Sequence, residues 1–526
     1  MIIDDQHYDL IIVGTGAGGG TLAYKLAPTG KKILILERGD FLPKENENWN
    51  ATEVFQKERY HTQQQWYDQA GESFRPQTNY WVGGNTKVYG AALLRMRERD
   101  FEEVQHEDGI STEWPLKYKD FEPYYTEAEK LYHVHGRQGN DPTEPPRSQE
   151  YPLPAVSHET RMQEICDAIS QQGLHPAYLP LGLKLSQGDD NQSNCIRCKT
   201  CDGFPCHVDG KADAEVVGIS PSLKFPNVTL KTNAKVVRLH TSPSGGEVKA
   251  VEAEIGGQAH FFFSDIVVLA CGAINSAALL LSSANGLHPT GLANSSDLVG
   301  RNFMKQLTTA VVQLSPIPNP AIFQKTICVN DFYWGELGFD YPMGHIQNTG
   351  NILKDMIPTE GPPLLAFLAK LMPGFGLKQL TEHATGWWIQ TEDLPDPNNR
   401  VRVEGSKLYV DYNPNNLEAH DRLIHRWTDV LKVVDRMTTN TVFPRGIYPY
   451  SNTPIRVVAN QSGTCRFGED PKTSVLDLNC RTHDVDNLYI VDSSFFPSSS
   501  AVSPALTIIA NALRVGEHLI ERLDKS

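Results

Sequence analysis

The run GTGAGGG, residues 14–20, lies between an apolar stretch and a helix-like stretch at the start of the chain. Residues 8–13, YDLIIV, read as a short buried strand. TLAYKLAPTG reads as a helix ending near Gly30, and KKILILERGD as a second strand ending in Glu37. Gly14, Gly16 and Gly19 have the G-x-G-x-x-G spacing, with Ala17 and Gly18 between them. Each glycine has its own reason. The first permits the tight turn, the second lets backbone approach a pyrophosphate, and the third lets helix and strand pack closely. The helix start offers free N–H groups and partial positive charge to phosphates. Glu37, eighteen residues after Gly19, is placed to accept from ribose hydroxyls and disfavours a 2′-phosphate. A lone motif of this kind is weak. Set within one βαβ unit, it points to dinucleotide binding, without separating FAD from NAD.

The rest of the composition narrows the class. At 526 residues the chain is too long for one core, so two lobes are expected. A net charge of −15 argues against nucleic acid or an anionic membrane as partner. The start, MIIDDQHYDL, has neither a basic nor an apolar leader region. Leu364 to Met372, the most apolar later stretch, is too short to span a bilayer and contains Lys370. A cytoplasmic location is the expectation.

Three further blocks decide the cofactor. They are NYWVGGNTKVYGAALLRMRERDF at 79–101, VVLACGAINSAALLLSS at 267–283, and the stretch at 460–518 containing NQSGTCRFG, LYIVDSS and AVSPALT. With the N-terminal block, in this order and spacing, they resemble the signature segments of the glucose–methanol–choline (GMC) oxidoreductase family. The resemblance is strong over the cofactor-binding parts and loose between them. It implies an α/β doubly wound, Rossmann-like FAD-binding domain plus an α+β substrate-binding domain with an antiparallel sheet. The expected division gives 1–110, 195–305 and 455–526 to the FAD-binding domain, and 111–194 and 306–454 to the substrate-binding domain.

The implied cofactor set begins with Gly14, Gly16, Ala17, Gly18, Gly19, Glu37 and Arg38. Gly83 and Gly84, followed by Asn85, would lie against the flavin ring. Val236 would flank the adenine, and Ala270 and Gly272 would close the cofactor edge beside Cys271. Asp492 would hold the ribityl or pyrophosphate portion. Ser503, Pro504 and Ala505 would cover the pyrimidine ring. Pro504 suits the first turn of the final helix, whose dipole would favour negative charge on a reduced flavin. Some relatives attach FAD through a histidine after the paired glycines. Val88 stands there, so FAD is expected to be non-covalent.

The resemblance also exposes a departure. The family oxidises hydroxyl groups by hydride transfer, with a histidine base opening the NQSGTCRFG segment and a histidine or asparagine before the proline of AVSPALT. This chain has Asn460 and Ser503 there. An amide orients a hydroxyl but does not take its proton, and base assistance is worth roughly two to four orders of magnitude. Three explanations stand: another residue or a water is the base; the chemistry has changed, to an isomerase, lyase or light-driven reaction; or this is an inactivated variant. The leading reading is an FAD-dependent oxidoreductase acting on CH–OH donors, with a sugar, glycoside or alcohol as substrate. Dehydrogenase is favoured slightly over oxidase, and the electron acceptor is left open.

His383, His420, His425 and His483 are substitute bases in principle, though each reads more readily as structural or surface. Trp387, Trp388 and Gln390 share a strand, so alternation sends one tryptophan to the core and the other to the pocket side. Cys195, Cys198, Cys201 and Cys206 form C-x2-C-x2-C-x4-C. That run resembles an iron–sulfur insertion of some family members, and it also fits zinc, local disulfides or reduced thiols. Residues 140–155 and 315–320 read as breaks, and 355–380 as a lid or an oligomer contact.

Overall fold

The structure, a computed structural model, describes residues 2–186, 194–372, 374–439, 446–457 and 460–525. Its centre is a seven-stranded sheet. Val228–Lys231, Ile33–Leu36, Ile2–Val13, Gln258–Leu269 and Leu488–Ile490 run parallel in that order. The early part of Gln258–Leu269 instead pairs antiparallel with Val248–Ile255, which pairs with Lys235–Thr241. The central parallel strands are buried on both faces over Leu10–Val13 and Ile33–Leu36, which is why LIIV and ILIL read as unbroken apolar runs. Ala17–Leu26 and the C-terminal helix Ala505–Lys525 pack against each other on the sheet. This is the doubly wound domain expected from the motifs.

The second sheet has six strands, all antiparallel: Tyr450–Asn452, Leu307–Leu314, Ala384–Thr391, His345–Asn348, Ile327–Val329 and Ala177–Tyr178. One face is covered by the helices Thr160–Ser170 and Leu417–Thr439. Val311, Trp387 and Ile389 join Leu423 and Trp427 in that core. The alternate residues, including Ala310, Trp388 and Gln390, face a cavity between the two sheets.

Some segments cross the expected division. Tyr118–Leu131, placed with the substrate segments by sequence, packs on the C-terminal helix. Tyr125 meets Thr507 at 2.7 Å, and Tyr132, just beyond the helix, meets Thr21 at 2.9 Å. The strands Arg400–Glu404 and Lys407–Asp411 join Trp66–Asp68 in a further sheet. The short helices Ile357–Glu360, Pro363–Leu371 and Gly374–Glu382 lie in the stretch read as a lid, with Met356, Glu360 and Leu365 lining the cavity. No described helix is long and apolar enough to cross a membrane.

One aromatic nest ties distant parts of the chain together. Trp114 is buried, with its ring centroid 5.0 to 5.7 Å from those of Phe101, Phe121, Phe467, Phe495 and Phe496. Its Nε1 donates to Ser498 Oγ at 2.9 Å. Truncation leaves a cavity and removes one donor from Ser498 Oγ, which keeps its own bond to the Thr112 carbonyl at 2.9 Å. Trp114→Ala is expected to lower stability by about 3–5 kcal/mol, read as a lower midpoint in urea denaturation. An unchanged midpoint would mean the nest tolerates collapse.

Candidate active site

Gly14, at φ +100°, has no room for a Cβ, which would fall 2.4 Å from the Ala270 carbonyl oxygen. At Gly18 it would fall 2.2 Å from the Val491 oxygen, and at Gly19 2.0 Å from the Gly14 oxygen. These three glycines are needed by the protein's own packing. Gly16 differs, because nothing lies within 4 Å of a Cβ placed there. It caps the helix Ala17–Leu26 with no side-chain partner, so the first N–H groups open onto the cavity. Gly272, at φ +86° and capping Ala273–Ser282, has the same open side. Two helix starts therefore border one void.

Glu37 is buried at the far end of that void. Its Oε2 accepts from Thr15 N at 3.0 Å and Thr15 Oγ1 at 2.5 Å, and its Oε1 from Gly39 N at 2.9 Å. Burial pushes its carboxyl pKa up, and those donors and Arg38 oppose this only in part. Oε1 keeps capacity for another donor, as a ribose contact needs. Arg38 stacks on Tyr80 at 3.9 Å, and Val236 lines the wall nearby.

Asp492 is also buried. One oxygen accepts from Gly272 N at 2.9 Å and Ser276 Oγ at 2.5 Å, the other from Ser494 N at 2.9 Å and from Ser494 Oγ. All its acceptor positions are filled by protein, so it anchors the Gly272 turn. Gly83, at φ +98°, donates to Thr15 Oγ1 at 3.0 Å and does not line the cavity, nor does Gly19. Both shape the loop from behind. Gly84 packs on Gly16, and Asn85 accepts from Asn79 N at 2.9 Å. Asn79 lines the cavity, and its buried Oδ1 has no partner.

The cavity is continuous and large, about 1200 Å³, above the roughly 300–1,000 Å³ of an ordinary small-molecule pocket. It runs from the glycine turn past Ala270, Gly272 and Val88 to Asn460, Ser503, Pro504, Ala505, Trp388 and Gln390. Trp388 faces it, while Trp387 is packed against Trp427 at 4.8 Å. Asn460 has φ 56°, a left-handed conformation that asparagine tolerates well. Its Nδ2 donates to Gln306 Oε1 at 2.9 Å.

The four histidines considered from sequence do not line this cavity. His420 is locked between Thr309 and Thr391, at 2.8 and 2.9 Å. His383 contacts the Ser315 carbonyl at 2.9 Å, His483 contacts Ser474 at 2.9 Å, and His425 is exposed. His61 does line the cavity, with its pKa pushed down to about 4 by burial and Arg456.

Lys305 lies in the wall beside Asn460, because Met304–Lys305 pairs antiparallel with Gln461–Ser462. Its Nζ is buried and donates to Thr453 O at 3.2 Å and Thr453 Oγ1 at 3.1 Å. Burial pushes its pKa down to about 8, with Asp393 opposing. Asp393 is itself pushed up to about 7 by burial. Nothing in the sequence marks Lys305, since strand pairing alone brings it to Asn460.

The cysteine run also positions a carboxylate in the fold. Among the described residues, no group of three or more His, Cys, Asp or Glu side chains is arranged to hold a metal, and no disulfide is formed. Burial pushes the thiols of Cys195 and Cys201 up to about 11 and 12, and neighbouring thiols of the run add to this. The run projects Asp202 toward the substrate sheet, where its Oδ2 accepts from Lys325 Nζ at 2.6 Å and Trp388 Nε1 at 3.3 Å.

Sequence profiles of GMC oxidoreductases match residues 8–308 and 395–512. The chain belongs to this family and is an FAD flavoprotein oxidoreductase, as its motif blocks indicated. It is 29% identical to 6'''-hydroxyparomomycin C oxidase of Streptomyces lividus, over 99% of this chain and 92% of that one. It is 28% identical to paromamine 6'-oxidase of Streptomyces fradiae, over 97% and 91%. It is 25% identical to the fructose dehydrogenase large subunit of Gluconobacter japonicus, over 98% and 98%. The solved structure of pyridoxine 4-oxidase from Mesorbium loti matches with a TM-score of 0.67 at 18% identity, covering 97% of this chain and 99% of the other.

The cavity suits FAD: two open glycines at helix starts for phosphates, a buried carboxylate for ribose, and the bare Asn79 Oδ1 for a donor. The glycines separate two effects. Gly18→Ala is expected to lower the melting temperature, because its methyl meets the Val491 carbonyl. Gly16→Ala is expected to melt like the parent without FAD, yet purify with less flavin per chain. Equal flavin content in Gly16→Ala and parent would contradict this placement of the pyrophosphate.

Proposed function

We propose that this chain oxidises a hydroxyl group of a small sugar, glycoside or alcohol by hydride transfer to non-covalently held FAD, with Lys305 as general base. One observation carries the reading. A single cavity joins the dinucleotide turn to a wall holding a buried lysine, its pKa lowered to about 8, beside the Asn460 and Ser503 positions. Bound FAD would supply the acceptor for the hydride.

The chain's own groups handle the rest. A neutral Lys305 amine gives its two hydrogens to Thr453 and keeps its lone pair for the substrate O–H proton. Asn460 Nδ2 gives one hydrogen to Gln306 and has a second to offer the substrate oxygen. The Ser503 hydroxyl is a further donor as charge builds on that oxygen. The O–H proton passes to Lys305, the carbon-bound hydrogen leaves with its electron pair, and a carbonyl remains. The named activities of the relatives, on paromamine and fructose among others, support a hydroxylated substrate. They include both oxidases and dehydrogenases. The slight preference for a dehydrogenase rests on the sequence reading, as does the assignment of 1–110, 195–305 and 455–526 to FAD and of 111–194 and 306–454 to substrate.

Anaerobic mixing with a panel of sugars and alcohols is expected to bleach the flavin bands. The bleaching rate should rise with pH through about 8 and then level, because only the neutral amine takes a proton. Lys305→Met should lose that rise and about two to four orders of magnitude in rate. A pH-independent rate in the parent would remove Lys305 from the chemistry. Failure of the whole panel to bleach the flavin would remove the oxidation reading. Asn460→His with Ser503→Asn restores the family's usual pair, and His is among the residues that adopt the left-handed φ found here. This double variant is expected to bleach at lower pH than the parent, because a second base is added; no change in the profile would show that position 460 does not reach the proton.

A further inference from the structure

A row of side-chain amides runs along the substrate wall, and its direction is set at one end. Gln306 Nε2 lies 2.8 Å from the Ser500 carbonyl and 2.6 Å from the Val502 carbonyl. Carbonyls only accept, so the nitrogen of Gln306 must face them. Its Oε1 therefore faces the cavity side, where it accepts from Asn460 Nδ2 at 2.9 Å and Gln390 Nε2 at 3.1 Å. That turns Gln390 so that its Oε1 accepts from Gln347 Nε2 at 2.8 Å. Gln347 Oε1 is left over. It is buried, belongs to a cavity-lining residue that is 3% exposed, and has no hydrogen-bond partner.

The orientation of an amide is ordinarily ambiguous. Here two carbonyls settle Gln306, and each later amide follows by complementarity. An acceptor left bare in such a site costs free energy that a ligand donor recovers. Register places Gln347 opposite Trp388, on the same face as Gln390, so the donor it awaits comes from whatever rests on Trp388.

Resting on the oxidation reading above, we infer that Gln347 is a specificity-determining residue that selects substrates carrying a second donor, a hydroxyl or an ammonium, next to the hydroxyl oxidised. Gln306 acts through the others, as the positioning residue that gives the row its direction. Vicinal diols and amino alcohols are the matching substrate class, and simple monohydric alcohols are the rejected one.

The test uses FAD-loaded protein reduced with dithionite, so that ligands bind without turnover. Affinities for cyclohexanol, trans-1,2-cyclohexanediol and trans-2-aminocyclohexanol are measured by calorimetry. Cyclohexanol is expected to bind about 10- to 100-fold more weakly than the diol. In Gln347→Leu that ratio should fall to about one. Gln347→Glu keeps an acceptor oxygen toward the ligand but loses the donor to Gln390 Oε1, so it should keep part of the diol preference and gain affinity for the ammonium of the amino alcohol. Melting curves check that both variants fold. If Gln347→Leu does not fold, the parent ratio and the Gln347→Glu response still decide. Equal binding of cyclohexanol and diol by the parent, full retention of the ratio in Gln347→Leu, or no binding of any of the three would overturn the inference. Flavin bleaching in the oxidised protein separates the two readings. Equal bleaching by cyclohexanol and diol would sink the role of Gln347 and leave oxidation standing. A Gln347-dependent diol preference without bleaching would do the reverse.

Discussion

The carbonyl oxygens of Ala270 and Val491 stand where side chains at Gly14 and Gly18 would otherwise be. Those carbonyls end or follow the strands Gln258–Leu269 and Leu488–Ile490, which come from remote parts of the chain. The contact draws the first helix down onto both strand ends. Once it is seated, Gly16 is the position in the turn whose outer side stays open. Asp492, next after Val491, then holds the Gly272 turn with one oxygen and Ser494 with the other. A backbone contact without side chains thus places two helix starts around one void. A bulkier residue at Gly14 or Gly18 would push the turn off the strand ends that define the cofactor edge.

Desolvation shapes the opposite end. Lys305 and Asp393 are both buried, and burial moves each toward its uncharged form: the ammonium down to about 8 and the carboxyl up to about 7. Asp393 Oδ2 accepts from Lys305 N at 2.7 Å while its Oδ1 is left bare, and Lys305 Nζ bonds Thr453. Lys305 also helps hold down the pKa of His420, after burial. The nearby histidine is thereby kept neutral and fixed between two threonines. In the proposed reaction, proton uptake in this wall falls to the lysine, whose pKa burial lowers to about 8.

The parts legible in the sequence are those governed by short-range backbone demands. The glycine turn, the acidic end of the second strand and the alternation of Trp387 with Trp388 follow from φ, spacing and period 2, and the structure places each accordingly. The cavity also contains most of the residues that the family resemblance implied. Gly19 and Gly83 stand behind it because their demands are on packing. The division at Tyr118–Leu131 was not legible: that helix has a polar outer face and an aromatic inner one, and nothing local says which lobe its aromatics meet. Lys305, Gln306 and Gln347 escaped for the same reason. Each is an unremarkable residue on a strand, made functional by the strand opposite it. The cysteine spacing left metal, disulfide and free thiols open, and nothing in it announced that the run also supplies Asp202 to Lys325 and Trp388.

Replacing an imidazole by an amide at position 460 changes which task the position performs. An imidazole orients and takes the proton with one group, so its pKa and its geometry are adjusted together. An amide only orients, and its direction is dictated by its neighbour. Here that neighbour is Gln306, tied to the backbone carbonyls at 500 and 502 that lead into Ser503. Asn460 and the segment entering Ser503 are therefore linked through one side chain. Proton uptake is left to a lysine on the adjacent strand, whose basicity is set by burial and not by the amides. Orientation and basicity become separately adjustable. A substrate wall built this way can change what it recognises, through Gln347 and Gln390, without altering the group that receives the proton.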